Sequence, residues 1–314
     1  MRKIIPFIAL VVLVIGLILL PKVSPYFIVF VATEILIMGL YATSFNLMFG
    51  YCGLLSFGHA AFLGTGCYVA ALMLQHLEVG FVWVLAAAGL TAGLAALLIG
   101  WFCVRLSEVY FSMLTLAFGM MMFSIAHQWR SVTGGSDGVA GFGMPKLGLG
   151  IDIALGNPFH FYYLTLVVVI ICLMLIYYIT ISPFGLLLRA MRENSERVAF
   201  TGIPIYRYRL YGFIMAGTFA GIAGALFAVF SRIAVPEMVH WTQSAEAVLM
   251  TILGGSQFFF GPVVGSAVFI GLKTLITSYT SEWMIYLGLI LLIMVLFVPK
   301  GIIGLFERWL GGRT

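Results

Sequence analysis

Charge is what this chain lacks most. Only 9% of its 314 residues are Asp, Glu, Lys or Arg, while 63% are hydrophobic. A soluble domain carries roughly 25% charged residues. A fold of this length cannot cover itself with so little polar surface, which excludes a soluble enzyme or binding module. Cysteine is scarce too. Cys52, Cys67, Cys103 and Cys172 stand apart in apolar runs, without metal-ligand or redox spacing. They read as small buried hydrophobes. No clustered His, Asp and Cys suggests a catalytic or metal centre. No Gly-x-x-x-x-Gly-Lys-Ser/Thr phosphate loop is present. The net charge of +5 comes without interleaved stacking aromatics, so no nucleic-acid partner is expected.

Long apolar runs are abundant. They occur at about 4–20, 26–49, 54–75, 81–102, 109–126, 161–181, 210–231, 247–260, 262–279 and 283–299. A bilayer core needs roughly 20 apolar residues per helix. The pattern predicts an all-α integral membrane protein, a polytopic bundle of about ten spans (8–10) with discontinuous helices. Arg2 and Lys3 precede the first run, but no small-x-small cleavage site follows it, so it reads as a retained anchor. The run 247–260 is short for a span and open to being broken or re-entrant.

The basic residues give the orientation, because Lys and Arg collect on the cytoplasmic side. With the N-terminus inside, eleven of the sixteen fall on the inner side: Arg2, Lys3, Arg105, the five arginines from 189 to 209, Lys300, Arg308 and Arg313. Lys22, Arg130, Lys146 and Arg232 fall outside, and Lys273 within a span. Both termini are therefore expected in the cytoplasm.

Two apolar segments are too rich in glycine for plain lipid-facing helices. The first runs from Gly50 through Gly53, Ser56, Phe57, Gly58 and His59 to Gly64. The second runs from Gly254-Gly255-Ser256-Gln257 to Gly261-Pro262 and Gly265. Irregular backbone at membrane depth is tolerated only inside protein or along a watery cavity. Interrupted segments in both halves of a chain point to a transport path. Close packing through small residues explains the same glycines, and the two readings are compatible. Gly217, Gly221 and Gly224, with Ala216, Ala220 and Ala223 beside them, form a small-residue stripe suited to helix contact.

The stretch from Arg189 to Arg209 carries seven charges: Arg189, Arg192, Glu193, Glu196, Arg197, Arg207 and Arg209. Ser182-Pro183 is a good helix start, with Ser as cap and Pro at the first helical position. A second short helix is predicted over 195–201, capped by Asn194 or Ser195. Glu196 sits in its first turn, Gly202 stops it and Pro204 prevents its continuation. Arg192, Glu193, Glu196, Arg197 and Phe200 are its expected exposed residues. A solvated loop that only sets orientation explains the same charges.

The run Gly185-Leu-Leu-Leu-Arg189-Ala-Met-Arg192-Glu193-Asn194-Ser-Glu196-Arg-Val-Ala199-Phe-Thr-Gly202-Ile203 resembles the coupling segment of ATP-binding-cassette importer permeases. Glu196 and Gly202 keep the spacing of the superfamily's Glu-Ala-Ala-x-x-x-Gly motif, while Arg197 and Val198 replace its alanines. Asn46-Leu-Met-Phe-Gly50 through Ala60 resembles the early segment of the LivH/LivM permeases. Thr133-Gly134-Gly135-Ser136-Asp137-Gly138 looks like the outer loop of the LivM branch. Ala245-Glu246-Ala247 through Gly255 resembles their late segment. These matches cover most of the chain.

The resemblance implies one transmembrane permease domain over 1–314, with a cytoplasmic coupling loop at 182–209 and a periplasmic loop at 127–160. It implies the permease subunit of an importer for branched-chain or related amino acids in the bacterial inner membrane, working by alternating access. The implied partners are a second permease of the LivH type, two cytoplasmic ATPase subunits and a periplasmic amino-acid-binding protein. ATP and Mg would be bound by the ATPases, with no cofactor in this chain and no enzymatic activity of its own. Urea or short-amide permeases share the ancestry and are one alternative. An ion-coupled secondary transporter is another, although Glu34, His59 and Glu246 are isolated in sequence.

Candidate ATPase-coupling residues are Arg189, Arg192, Glu193, Asn194, Glu196, Arg197, Ala199 and Gly202. Candidate pathway residues are Asn46, Gly50, Gly53, Ser56, Phe57, Gly58, His59, Glu246, Gly254 and Gly255. Asn46 is placed to satisfy a carbonyl opened by the break. His59 either hydrogen-bonds substrate, orders the break or packs helices. Glu34 and Lys273 either snorkel or pair, and Glu246 starts a span on the outer side, where a solvated position is the plain alternative to a place on the path. Gly134, Gly135, Ser136, Asp137 and Gly138 shape a turn, dock the binding protein or form an amide nest for a carboxylate.

Overall fold

Most apolar runs become helices at nearly the expected bounds. The structure is a computed structural model and describes residues 16–22, 24–77, 79–148, 151–280, 282–298 and 300–310. The first apolar run therefore lies mostly outside the described residues. Five segments are long and apolar enough to cross a bilayer: Tyr26–Cys52, Phe81–Cys103, Glu108–Gln128, Pro158–Ile181 and Ile205–Ser231. Three shorter apolar helices accompany them, Ala60–His76, Gly261–Thr277 and Met284–Met294.

In chain order the helices are α1 (Tyr26–Asn46), α2 (Ala60–His76), α3 (Phe81–Cys103), α4 (Glu108–Gln128) and α5 (Pro158–Ile181). Next come α6 (Pro183–Glu193), α7 (Ser195–Phe200) and α8 (Ile205–Ser231). The last are α9 (Trp241–Gly254), α10 (Gly261–Thr277), α11 (Trp283–Phe297) and α12 (Gly301–Leu310). Proline sets several starts. Pro25 precedes α1 in an extended conformation, and Pro158 opens α5 behind Asn157, whose side chain accepts from the Phe159 N–H at 3.0 Å.

Helix α8 is the centre of the bundle, packed against α3, α2 and α1. Its expected small-residue stripe makes these contacts. A Cβ on Gly224 would enter the shell of the Leu63 carbonyl oxygen, and one on Gly217 would lie 2.5 Å from the Ala96 methyl. In a bilayer, close backbone approach replaces the hydrophobic drive between helices. Around α8 the side chains are fully enclosed, including Phe62, Phe111 and Phe213, whose rings meet edge to face at 5.2–5.7 Å. By contrast, α4 and α11 turn Val109, Tyr110, Met113, Ile285, Leu289 and Phe297 outward.

Two findings differ from the sequence reading, and the run 247–260, short for a span, is broken as that reading allowed. Helix α9 starts six residues earlier, at Trp241, and stops at Gly254, after which a turn leads directly into α10. Its 14 residues reach about 21 Å, short of the roughly 30 Å core. The run 54–75 likewise begins with non-helical chain, and its helix starts only at Ala60. The all-α expectation also gains two small two-stranded sheets. In one, Val139–Ala140 (β1) pairs antiparallel with Ile233–Ala234 (β4). In the other, Lys146–Gly148 (β2) pairs with Ile151–Ala154 (β3).

The β1–β4 pair explains the glycine-rich loop. It ties the chain after α4 to the end of α8. Gly134, Gly135 and Gly138 all take positive φ, between 66° and 75°. The Gly138 N–H donates to the Gly135 carbonyl at 3.2 Å, and the Gly135 N–H to the Thr133 hydroxyl at 3.4 Å. Two amides of the anticipated nest are thus spent inside the turn. Ser136 and Asp137 remain exposed at its tip.

Close packing of α8 predicts a sharp positional contrast. Gly224→Leu should lower stability by about 1–3 kcal/mol through overpacking. Gly271→Leu, where a Cβ meets nothing within 4 Å, should change it by less than about 0.5 kcal/mol. Thermal unfolding of the two variants in one detergent checks this.

Candidate functional site

The first glycine-rich segment is where regular helix fails. Helix α1 widens into a π-helical stretch over Leu47–Cys52 and ends on Gly53 at φ 77°. π-turns recur at functional sites because they open the backbone ladder. The N–H groups of both Gly53 and Leu54 converge on the Met48 carbonyl. Irregular chain and a turn then run to His59, and helix resumes at Ala60. Backbone groups left open here are closed by residues far away in sequence. Arg192 Nη1 of α6 donates to the Gly50 carbonyl. The Ser112 hydroxyl of α4 donates to the Leu55 carbonyl at 2.7 Å. The Ser244 hydroxyl of α9 accepts from the Ala60 N–H, at the start of α2, at 2.8 Å.

This corrects the expectation for Asn46. It is buried, and neither its Oδ1 nor its Nδ2 has a hydrogen-bond partner. The carbonyls of the break are served by Arg192 and Ser112 instead. Ser112 and Ser244 were missed from sequence, because a lone serine in an apolar helix carries no signal of its partner. Ser56 is also buried with its hydroxyl unpartnered, and Phe57 is half-buried beside it. Gly58 packs directly on the Thr115 backbone of α4.

His59 sits in an aromatic box. Its Nε2 lies 3.0 Å from the Ser44 hydroxyl, and its ring stacks on Tyr41 at 5.3 Å with Phe45 and Phe62 edge-on. The imidazole is completely enclosed. Of the three readings, its surroundings match helix packing and ordering of the break.

The second glycine-rich segment closes against the first. The Ser256 carbonyl lies where a Gly50 side chain would have to go. Gly255, at φ 106°, ends α9, and Gly301 at the start of α12 packs against it. Gly254 and Gly265 cross with no room for side chains between α9 and α10. The hairpin is further bound to α1 by Thr251 to the Ala42 carbonyl and Ser266 to the Ile35 carbonyl, each at 3.3 Å.

Glu246 and Lys273 are brought together across the α9–α10 hairpin, with Nζ and Oε1 3.5 Å apart. Glu34 of α1 lies within electrostatic reach of both. Three charges isolated in sequence thus form one cluster.

The arginine-rich loop folds as two short helices. Ser182 caps α6, accepting from the Gly185 N–H at 3.4 Å, and Pro183 takes the first position. Asn194 caps α7, accepting from the Arg197 N–H at 2.9 Å. Gly202 follows at φ 82°. In α7 only Val198 is buried. Glu196, Arg197 and Ala199 are exposed, and Phe200 is 90% exposed. A groove of about 500 Å³ separates the two helices, lined by Leu187, Ala190, Glu193, Asn194, Arg197 and Val198 among others.

The three segments meet in one open cleft of about 430 Å³. It is lined by Gly50 and Tyr51 from the first break, Arg189, Arg192 and Glu193 from α6, and Ser256 and Gln257 from the second turn. The Arg189 guanidinium lies over the Tyr51 ring, 4.7 Å from its centre. Candidates from opposite ends of the sequence therefore share a wall. The loop of Gly134 to Gly138 lies elsewhere, on the side where α4 ends and α9 begins.

These features define a multi-pass helical membrane protein in which two interrupted segments and a charged helical loop converge. The chain belongs to the family described as branched-chain amino acid transport system / permease component, whose model matches residues 27–299. It is 26% identical over 294 residues to the high-affinity branched-chain amino acid transport system permease protein LivM of Escherichia coli (strain K12), covering 87% of this chain and 69% of that protein. It is 27% identical over 288 residues to the LivH permease protein of the same system and strain, covering 84% and 90%. A probable LivM permease of Methanocaldococcus jannaschii matches 39% of this chain at 27% identity. No solved structure matches.

Removing the Ser244 hydroxyl should leave the buried Ala60 N–H without an acceptor. Ser244→Ala is expected to cost about 1–3 kcal/mol, and Ser244→Thr, which keeps the acceptor, markedly less. Unfolding of the purified variants in detergent reads the difference.

Proposed function

We propose that this chain is one membrane subunit of an ATP-binding-cassette importer for branched-chain amino acids. The observation that carries the reading is the helical loop α6–α7. Its second helix is anchored by Val198 alone and presents Glu196, Arg197 and Phe200 outward. A phenylalanine 90% exposed on a charged loop is suited to a protein partner. Family membership and similarity to both LivM and LivH supply the substrate class and a two-permease arrangement.

On this reading about ten spans cross the inner membrane, with both termini and the α6–α7 loop in the cytoplasm. Two ATPase subunits grip the loop and its counterpart on a LivH-type partner. They bind the ATP and Mg, and this chain contributes no catalytic residue. The loop around Ser136 and Asp137 receives a periplasmic binding protein. Glu196 and Gly202 hold the ends of the gripping element. The glycine-rich break 47–59 and the turn 255–260 line the path. Apolar walls and exposed backbone polarity suit a zwitterion with an aliphatic side chain, and Tyr51 and Phe57 supply such walls. The Glu246–Lys273 pair keeps the α9–α10 hairpin nearly neutral, which favours a structural tie over an ion relay.

The test is reconstitution of the full complex in liposomes. ATP-dependent uptake of leucine, isoleucine or valine with the cognate binding protein is expected. Uptake of urea or acetamide instead would move the protein to the short-amide branch, and uptake driven by an ion gradient without ATP would overturn the class. Phe200→Glu should leave thermal stability unchanged and reduce uptake roughly tenfold or more by weakening ATPase docking. A variant that transports normally would remove Phe200 from the interface.

A further inference from the structure

The two charged residues that reach from α6 into the membrane break act together. Arg189 and Arg192 are one helical turn apart and share a face. They engage consecutive residues of the break: Arg192 the Gly50 carbonyl, and Arg189 the Tyr51 ring. The Gly50 carbonyl is available because the N–H of Leu54, four residues on, is spent on the Met48 carbonyl together with that of Gly53, where the chain turns left-handed and the helix ends. Gly53 also makes the room. A Cβ there would lie 2.9 Å from Arg192 Cγ, and its φ of 77° is one that side-chain-bearing residues avoid. The same Gly50 abuts the Ser256 carbonyl of the second break. A single guanidinium thus joins the outward-facing loop to the point where both interruptions touch.

We propose that Arg192 is the residue that transmits movement of the α6–α7 loop to the break, by holding the Gly50 carbonyl in one state and releasing it in the other. This rests on the importer reading and adds to it a specific positioning residue. With the guanidinium in place, the π-widened turn is capped and Gly50 stays against Ser256. When an ATPase tilts α6, the cap leaves, the open carbonyl must find another donor, and the contact between the breaks loosens. A guanidinium suits this role, because it stays charged and keeps several donors free for the cleft.

The test uses the complete four-subunit complex with its binding protein in liposomes. Arg192→Met keeps the packing of the stem and removes every donor. It is expected to lower leucine uptake tenfold or more, while binding-protein-stimulated ATP hydrolysis stays within about twofold of wild type, so the ATP spent per leucine rises. Arg192→Lys should restore part of the uptake. Gly53→Ala, which displaces the Arg192 stem, should raise the ATP cost in the same direction, and the double variant should be no worse than Arg192→Met alone. If Arg192→Met keeps the wild-type ATP cost, or if uptake and hydrolysis fall in parallel in both it and Gly53→Ala, the proposal is overturned. If Arg192→Met does not assemble, Gly53→Ala and Arg192→Lys decide on the same ratio. Failure of the wild-type complex to take up leucine with ATP would instead refute the underlying importer reading.

Discussion

Everything distinctive in this structure follows from the cost of an unpaired backbone amide or carbonyl away from water. Such a group costs several kcal/mol in hydrocarbon, so a chain that breaks a helix within a membrane must supply substitutes. Between Leu47 and His59 the break is made by a π stretch, a left-handed glycine and irregular chain ending in a turn. The substitutes come from three other helices: Ser112 from α4, Ser244 from α9 and Arg192 from α6. The break is therefore a junction. Nothing can shift at Gly50, Leu55 or Ala60 without a change in at least one of those helices.

The donors also differ in what holds them. Ser244 is completely buried, and Ser112 sits between the buried Phe111 and Thr115, with Gly58 of the break packed on the Thr115 backbone. Arg192 extends from α6, whose buried residues are only Gly185, Leu188 and Met191. Helix α7 beyond it is held still more lightly, through Val198. Elements with few buried contacts open at lower free energy than the core. The bonds to the break are thus graded from rigid to loose, and the loosest one leads to the surface that carries Phe200.

Sequence reading located these parts far better than it located their connections. Apolar runs gave α1, α3 and α5 nearly to their bounds and α8 from its second turn onward, because bilayer thickness fixes helix length and hydropathy reports it directly. Caps and stops gave α6 and α7, since Ser182, Pro183, Asn194 and Gly202 act through local chemistry. The run 247–260, open to being broken, is broken at Gly254, but its true bounds were hidden for a definable reason. Its phenylalanines 258–260 keep hydropathy high through a turn, and the helix start at Trp241 precedes the polar residues Thr242, Gln243, Ser244 and Glu246. Hydropathy cannot distinguish a buried turn from a helix. Likewise nothing local in Ser112, Ser244 or Lys273 names a partner 57, 184 or 27 residues away (27 being the Glu246–Lys273 separation), and Asn46, which looked the better donor, is left without one.

The charge cluster shows how tertiary placement changes the meaning of a residue. In sequence, Glu246 and Lys273 are two lone charges in apolar helices, each costly at membrane depth. Side by side on the α9–α10 hairpin they compensate one another, and Glu34 adds one negative charge from α1. Because α9 is only 14 residues long, its charged first half cannot be moved outward without pulling its glycine-rich end off Gly261 and Gly301. The ion pair and the glycine crossing therefore constrain the same short hairpin from its two ends. A hairpin fixed this way is tied to α1 through Thr251 and Ser266, and the turn between its helices carries the Ser256 carbonyl that abuts Gly50, the residue that Arg192 holds.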